Sequence, residues 1–125
     1  MRVLFNFIIF FSSVGFSTNT FAQQKIITYY DSLRQQINTV YFINNNDSAR
    51  IDGPFKKYHF NGVLEAEGQF EDGNKVGLFK EYYDNEKIRR IMYFKHGVKN
   101  GSVEVFDKEG RLLQKAQYKN DTLTG

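Results

Sequence analysis

The sequence predicts an all-β protein, an elongated single antiparallel sheet of successive hairpins. Three observations carry this. Glycines stand 24 residues apart at Gly53, Gly77, Gly101 and Gly125. The residues that follow recur too: Gly53-Pro54-Phe55-Lys56-Lys57-Tyr58 aligns with Gly77-Leu78-Phe79-Lys80-Glu81-Tyr82 and with Gly101-Ser102-Val103-Glu104-Val105-Phe106. Turn-forming residues fall at the same two places in every unit. A fixed period in this range marks an array whose units bury their apolar faces on their neighbours. It also counts against an enzyme, because a catalytic site needs residues that break the repeat.

Counting each glycine as position 1, three units (53–76, 77–100, 101–124) align without a gap. Each accommodates two strands, at about positions 2 to 7 and 11 to 19. Phe60-Asn61-Gly62, Asp84-Asn85-Glu86 and Lys108-Glu109-Gly110 lie between the two strands. Glu71-Asp72-Gly73-Asn74, Lys95-His96-Gly97 and Asn120-Asp121 lie between units. Asp-Gly and Asn-Gly favour tight turns because glycine takes positive φ freely and Asn and Asp tolerate it. Gly53, Gly62, Gly73, Gly77, Gly97, Gly101 and Gly110 are therefore the structural residues of the repeat.

On the second strand, positions 12, 14, 16 and 18 fall on one face of an extended chain. They read Leu64, Ala66, Gly68, Phe70, then Ile88, Arg90, Met92, Phe94, then Leu112, Gln114, Ala116, Tyr118. Stacked hairpins would turn them into aliphatic and aromatic ladders. The first strand is less regular. Positions 3 and 6 are both apolar but differ in parity, which a bulge, a strong twist or a two-sided strand would reconcile.

Gly-x-Phe-x-x-Tyr, then Asn-Gly-x-Leu, then an aromatic and Asp-Gly-x-x-Gly resembles the MORN repeat, and more closely its bacterial variant in YwqK-type proteins, often labelled toxin–antitoxin antitoxins. The matching residues are Gly53, Phe55, Tyr58, Asn61, Gly62, Leu64, Phe70, Gly73, Gly77, Phe79, Tyr82, Tyr83, Asn85, Ile88, Phe94, Gly97, Gly101, Phe106, Gly110, Leu112 and Tyr118. The resemblance implies an elongated, twisted sheet of hairpins with no shared chemistry, serving as a protein-interaction or membrane-associated scaffold. Glu86 and Asp121 depart from it, standing where glycine is usual, and Val103 replaces the phenylalanine of the other units. These departures are expected to loosen the turns and the third strand pair.

The N-terminus carries a second signal. Met1-Arg2 is a short basic start, Val3 to Val14 is nearly all apolar, and Thr20-Phe21-Ala22 suits a signal peptidase. Residues 1–22 therefore predict a signal peptide cleaved near Ala22. The run is short for a membrane span; the competing reading is an uncleaved anchor. There is no cysteine, which excludes lipobox acylation and disulfides. Localisation is accordingly expected to be exported, periplasmic or extracellular. Loss of Arg2, the leader's single charge, would take the formal net charge from +3 to +2, too balanced for a nucleic-acid surface.

Residues 23–52 do not keep the period. Val40 to Ile43 is expected to form a capping strand, Asn44 to Ser48 a turn, and Arg50 to Tyr58 the strand pairing back. Tyr30, Leu33 and Ile37 fit the spacing of a short helix over Tyr29 to Asn38, or else a loose extension.

Recognisable chemistry is absent. His59 and His96 occupy different repeat positions with no nucleophile pattern beside them, and Asp72-Gly73-Asn74 offers too few oxygens for calcium. No catalytic residue, cofactor or metal is predicted. A single-layered sheet would, however, leave aromatics on one side, and tyrosine suits recognition surfaces. The expected binding surface is Tyr58, Tyr82, Tyr83, Tyr93 and Phe106. The expected function is an exported, non-catalytic protein-interaction module of the bacterial envelope, antitoxin-like in the special case. The alternative is a peripheral membrane or cell-wall surface scaffold.

Overall fold

The computed structural model describes residues 4–6, 23–44 and 50–125. The predicted leader lies almost wholly outside them. Twelve strands form one sheet: β1 (Leu4–Asn6), β2 (Gln23–Tyr29), β3 (Ile37–Asn44), β4 (Arg50–Ile51), β5 (Gly53–Tyr58), β6 (Leu64–Glu71), β7 (Asn74–Tyr82), β8 (Ile88–Lys95), β9 (Val98–Lys99), β10 (Gly101–Phe106), β11 (Leu112–Lys119) and β12 (Thr122–Leu123). Their order is β1-β2-β3-β5-β6-β7-β8-β10-β11-β12, with β4 on β3 and β9 on β8. Every pairing is antiparallel, so the sheet is a run of sequential hairpins, as the period predicts.

The turns between units explain their sequences. Asp72 and Gly73, His96 and Gly97, and Asn120 and Asp121 all have positive φ. Each pair sits between register partners, Glu71 with Asn74, Lys95 with Val98 and Lys119 with Thr122. Two central residues with positive φ are what a type I′ hairpin turn requires. Glu86 and Asp121 take the left-handed conformation of the glycines they replace, at φ 71° and 64°. The turn geometry survives there, at a local conformational cost.

A bulge recurs in each unit and corrects the expected face of the second strand. Position 5 pairs with position 14, but position 6 pairs with position 12: Tyr58 with Leu64, Tyr82 with Ile88, Phe106 with Leu112. Position 13, occupied by Glu65, Arg89 and Leu113, is the extra residue. Consecutive residues of the first strand point to opposite sides, so the bulge turns position 12 away from positions 14, 16 and 18. Positions 3 and 6 accordingly serve different faces.

One face carries the core. Phe55, Phe70, Phe79 and Phe94 meet edge to face along it, with ring centroids 5.5, 5.6 and 5.3 Å apart. The buried side chains Gln24, Ile26, Phe79, Met92 and Ala116 all belong to this phenylalanine face by register. Gly68 is required there, because a Cβ would lie 2.5 Å from the Phe79 ring. Lys75 and Lys99 lie over aromatic rings of the same face, Lys75 at 5.1 and 5.0 Å from Phe79 and Phe94, Lys99 at 4.9 Å from Tyr118.

The short helix expected over Tyr29 to Asn38 is not formed; β2 and β3 make a hairpin through it. Asp31 accounts for the difference. Its carboxylate accepts from the Gln35 and Gln36 amides at 3.0 Å, while Arg34 takes φ 60° and the Tyr30 amide donates to the Gln36 carbonyl. An aspartate that satisfies local amides in this way favours a loop over a helix. Those amides, the Gln36 bond foremost, hold the Asp31 carboxyl below its ordinary range.

This hairpin is a further unit. Thr28 pairs with Thr39 and Tyr29 with Ile37, leaving Asn38 as the extra residue. The pattern is that of positions 5, 14, 6, 12 and 13, which makes Gln24 position 1 and Ile26 position 3. Thr39 and Val40 then pair with Lys57 and Lys56, and Ile43 with Ile51.

Candidate functional site

Junctions between units are fastened by side chains that reach the next turn. Tyr30, His59 and Tyr83 occupy position 7. Tyr30 Oη donates to the Tyr58 carbonyl at 2.6 Å, and Tyr83 Oη to the Phe106 carbonyl at 2.7 Å. His59 Nε2 lies 2.8 Å from the Tyr82 carbonyl, which identifies that nitrogen as the donor. Position 9 adds a second row: Asn61 Nδ2 donates to the Asp84 carbonyl and Asn85 Nδ2 to the Lys108 carbonyl, at 3.3 and 2.8 Å.

The third unit breaks both rows. Asp107 replaces the position 7 donor and folds back on its own turn, accepting from the Glu109 and Arg111 amides and from Arg111 Nε. The Arg111 amide, more than any other partner, keeps the Asp107 carboxyl below its ordinary range.

The face opposite the phenylalanines is the open one. By register it carries Tyr58, Leu64, Leu78, Lys80, Tyr82, Ile88, Tyr93, Phe106 and Leu112. Leu78 and Tyr93 are register partners and both are exposed, at 39% and 42%. Leu112 is exposed on the same face. Beside Leu78 runs a shallow groove of about 520 Å³ with Glu67, Gln69, Val76 and Lys80 along it.

The five expected surface residues divide. Tyr58, Tyr82 and Phe106 form a half-buried row at position 6 of the open face, and Tyr93 stands exposed on it. Tyr83 falls on the phenylalanine side, and its hydroxyl is engaged in the junction. Tyr82 is tied as well: its hydroxyl donates to Glu67 Oε1 at 2.9 Å. Burial, with the hydrogen bond and negative charge of Glu67 behind it, pushes the Tyr82 pKa to about 12. Leu78 was missed. It occupies position 2, where the other units have Pro54 and Ser102, so its signal was an apolar residue at an otherwise variable position.

Across the sheet, on the phenylalanine side, the bulges gather charge. Arg90 donates to both Glu81 oxygens at 2.9 and 3.0 Å, Lys57 approaches Glu65 at 3.6 Å, and Arg89 lies over the Tyr83 ring at 5.9 Å. Opposite charges offset one another here, which leaves a balanced surface rather than an anion cradle. Among the described residues, no three His, Asp or Glu side chains stand together as a metal site.

Single-layer hairpin arrays with one packed and one open face are a class of repeat-built β protein. The sequence matches the family described as MORN repeat variant at residues 51–72, 75–96 and 99–120, more than half of the chain. The chain belongs to that family. No curated protein sequence and no solved structure matches it.

Proposed function

We propose that this chain is an exported, non-catalytic repeat protein that holds another protein on its open face in the bacterial envelope. One observation supports this above the others. The exposed pair of Leu78 and Tyr93 stands on the face opposite the phenylalanine ladder, with the charged groups Glu67 and Lys80 along the groove beside Leu78 and the Tyr58, Tyr82 and Phe106 row further along the strands of the same face. Aromatic and aliphatic anchors ringed by polar groups suit protein recognition. Export rests on the leader-like residues 1–22. An antitoxin or immunity role is the special case in which the partner is a toxin. The same face laid on lipid or glycan is the alternative.

Affinity capture of the protein from the envelope fraction of its own cells, read by mass spectrometry, tests the proposal. One near-stoichiometric protein partner is expected, and a growth-inhibiting partner would establish the antitoxin case. Recovery with lipid or wall material alone would contradict the proposal and favour the surface scaffold.

A further inference from the structure

We infer that the outer edge of β2 is a strand-acceptor site, filled by the chain's own Leu4–Asn6 at full length and taken, once the leader is removed, by an extended segment of a partner protein. The second half rests on the export-and-binding reading above; the first half does not.

The register carries the inference. At each internal junction, position 4 of one unit pairs with position 15 of the unit before it: Lys56 with Val40, Lys80 with Glu67, Glu104 with Ile91. Position 4 of the N-terminal hairpin is Ile27, and its partner is Leu4, followed by Phe5 with Ile26 and Asn6 with Lys25. β1 therefore stands where the second strand of a preceding unit would stand.

β11 and β2 are guarded differently. In the third unit, Asp107 and Glu109 replace the donors of positions 7 and 9, and β12 covers part of β11. Apart from β1 itself, β2 has no such guard. Its sequence QQKIITY holds a single charge and no proline, and its pairing with β1 shows no register shift. Charges, prolines and bulges are the usual guards of an exposed edge. Removal of residues 1–22 would leave unpaired N–H and C=O groups beside Ile26. An extended protein segment would restore those main-chain bonds, with two apolar residues followed by a polar one in the order of Leu4–Asn6.

Hydrogen exchange on the full chain tests the first half. Proline removes a donor and interrupts strand pairing. In Phe5→Pro, the β2 amides should exchange at least about tenfold faster than in the unaltered chain, with β7 and β8 unchanged. Should that variant disturb β7 and β8, Leu4→Pro gives the same readout. The hexapeptide Arg2–Phe7 should restore β2 protection, whereas the hexapeptide carrying Phe5→Pro should not. Equal β2 exchange in both chains, or equal restoration by both peptides, overturns the inference. N-terminal sequencing of the protein from its cells tests the second half. A start at Gln23 with the β2 amides protected in the captured complex supports it, and retention of Leu4–Asn6, or a start at Gln23 with those amides unprotected, overturns it. Failure of envelope capture alongside successful peptide restoration would sink the binding proposal and leave the acceptor edge standing.

Discussion

Gly68 shows how much one missing Cβ decides. Alanine at a tolerant site gains about 0.4–1 kcal/mol by restricting the unfolded chain. At Gly68 the added carbon would lie 2.5 Å from the Phe79 ring, and overpacking of that kind costs about 1–3 kcal/mol. Gly68→Ala should therefore destabilise in chemical denaturation. Glu86 works in the opposite direction. It holds φ 71°, a conformation costing a non-glycine residue about 1–2 kcal/mol. Against the roughly 0.5–1 kcal/mol of entropy that glycine loses on folding, Glu86→Gly should raise stability, by up to about 1.5 kcal/mol, in the same assay. Tyr82 gives a pH prediction. Its folded pKa of about 12 exceeds the ordinary 10.0, so its contribution is complete below about pH 10 and is lost as pH rises through 12. In a spectroscopic titration of the tyrosines, Tyr82 should ionise late, and Glu67→Gln should bring it earlier. Some of this was legible in sequence: the turn glycines announced themselves by type. The Gly68–Phe79 contact did not, because it joins different positions of neighbouring units and depends on the register between them.

Between elements, the junction rows tie each unit to the next alongside the strand pairing. Tyr83→Phe removes only the hydroxyl that reaches the Phe106 carbonyl, a net loss of about 0.5–1.5 kcal/mol. Thermal unfolding should shift down accordingly, with the β circular dichroism unchanged; an unshifted transition would remove Tyr83 from the junction. The hairpins and their turns were legible because the period is strict from Gly53 onward. The N-terminal unit was not. Its inner loop runs from Tyr30 to Gln36, longer than the His59 to Val63 loop, and Gln24 stands where the others have glycine. Helical spacing of Tyr30, Leu33 and Ile37 then competed with the strand reading, and the Asp31 loop decided the outcome. The bulge was hidden for a different reason. Position 13 is Glu65, Arg89 and Leu113, so no residue type marks it. Positions 12, 14, 16 and 18 therefore look like one face in sequence, where the bulge divides them between two.

For the whole molecule, strands among the described residues pair only within a hairpin or between consecutive hairpins, as expected of a quasi-one-dimensional array. One side is packed by the phenylalanine ladder, and the other retains Leu78, Tyr93 and Leu112 at the surface. The sequence predicts that a thin sheet leaves aromatics exposed; the structure leaves Tyr93 exposed and engages Tyr83 at the junction with Arg89 over its ring. On the proposed function, a protein partner is held on the open face. Capture from the envelope fraction should be compared between the unaltered chain and the double variant Leu78→Ser with Tyr93→Ser. Both substitutions lie at exposed positions and leave the phenylalanine ladder and junction rows intact. A near-stoichiometric partner is expected on the unaltered chain, with at least about a tenfold loss on the variant at unchanged thermal stability, the scale of a lost interface anchor. Equal capture by both chains would contradict it.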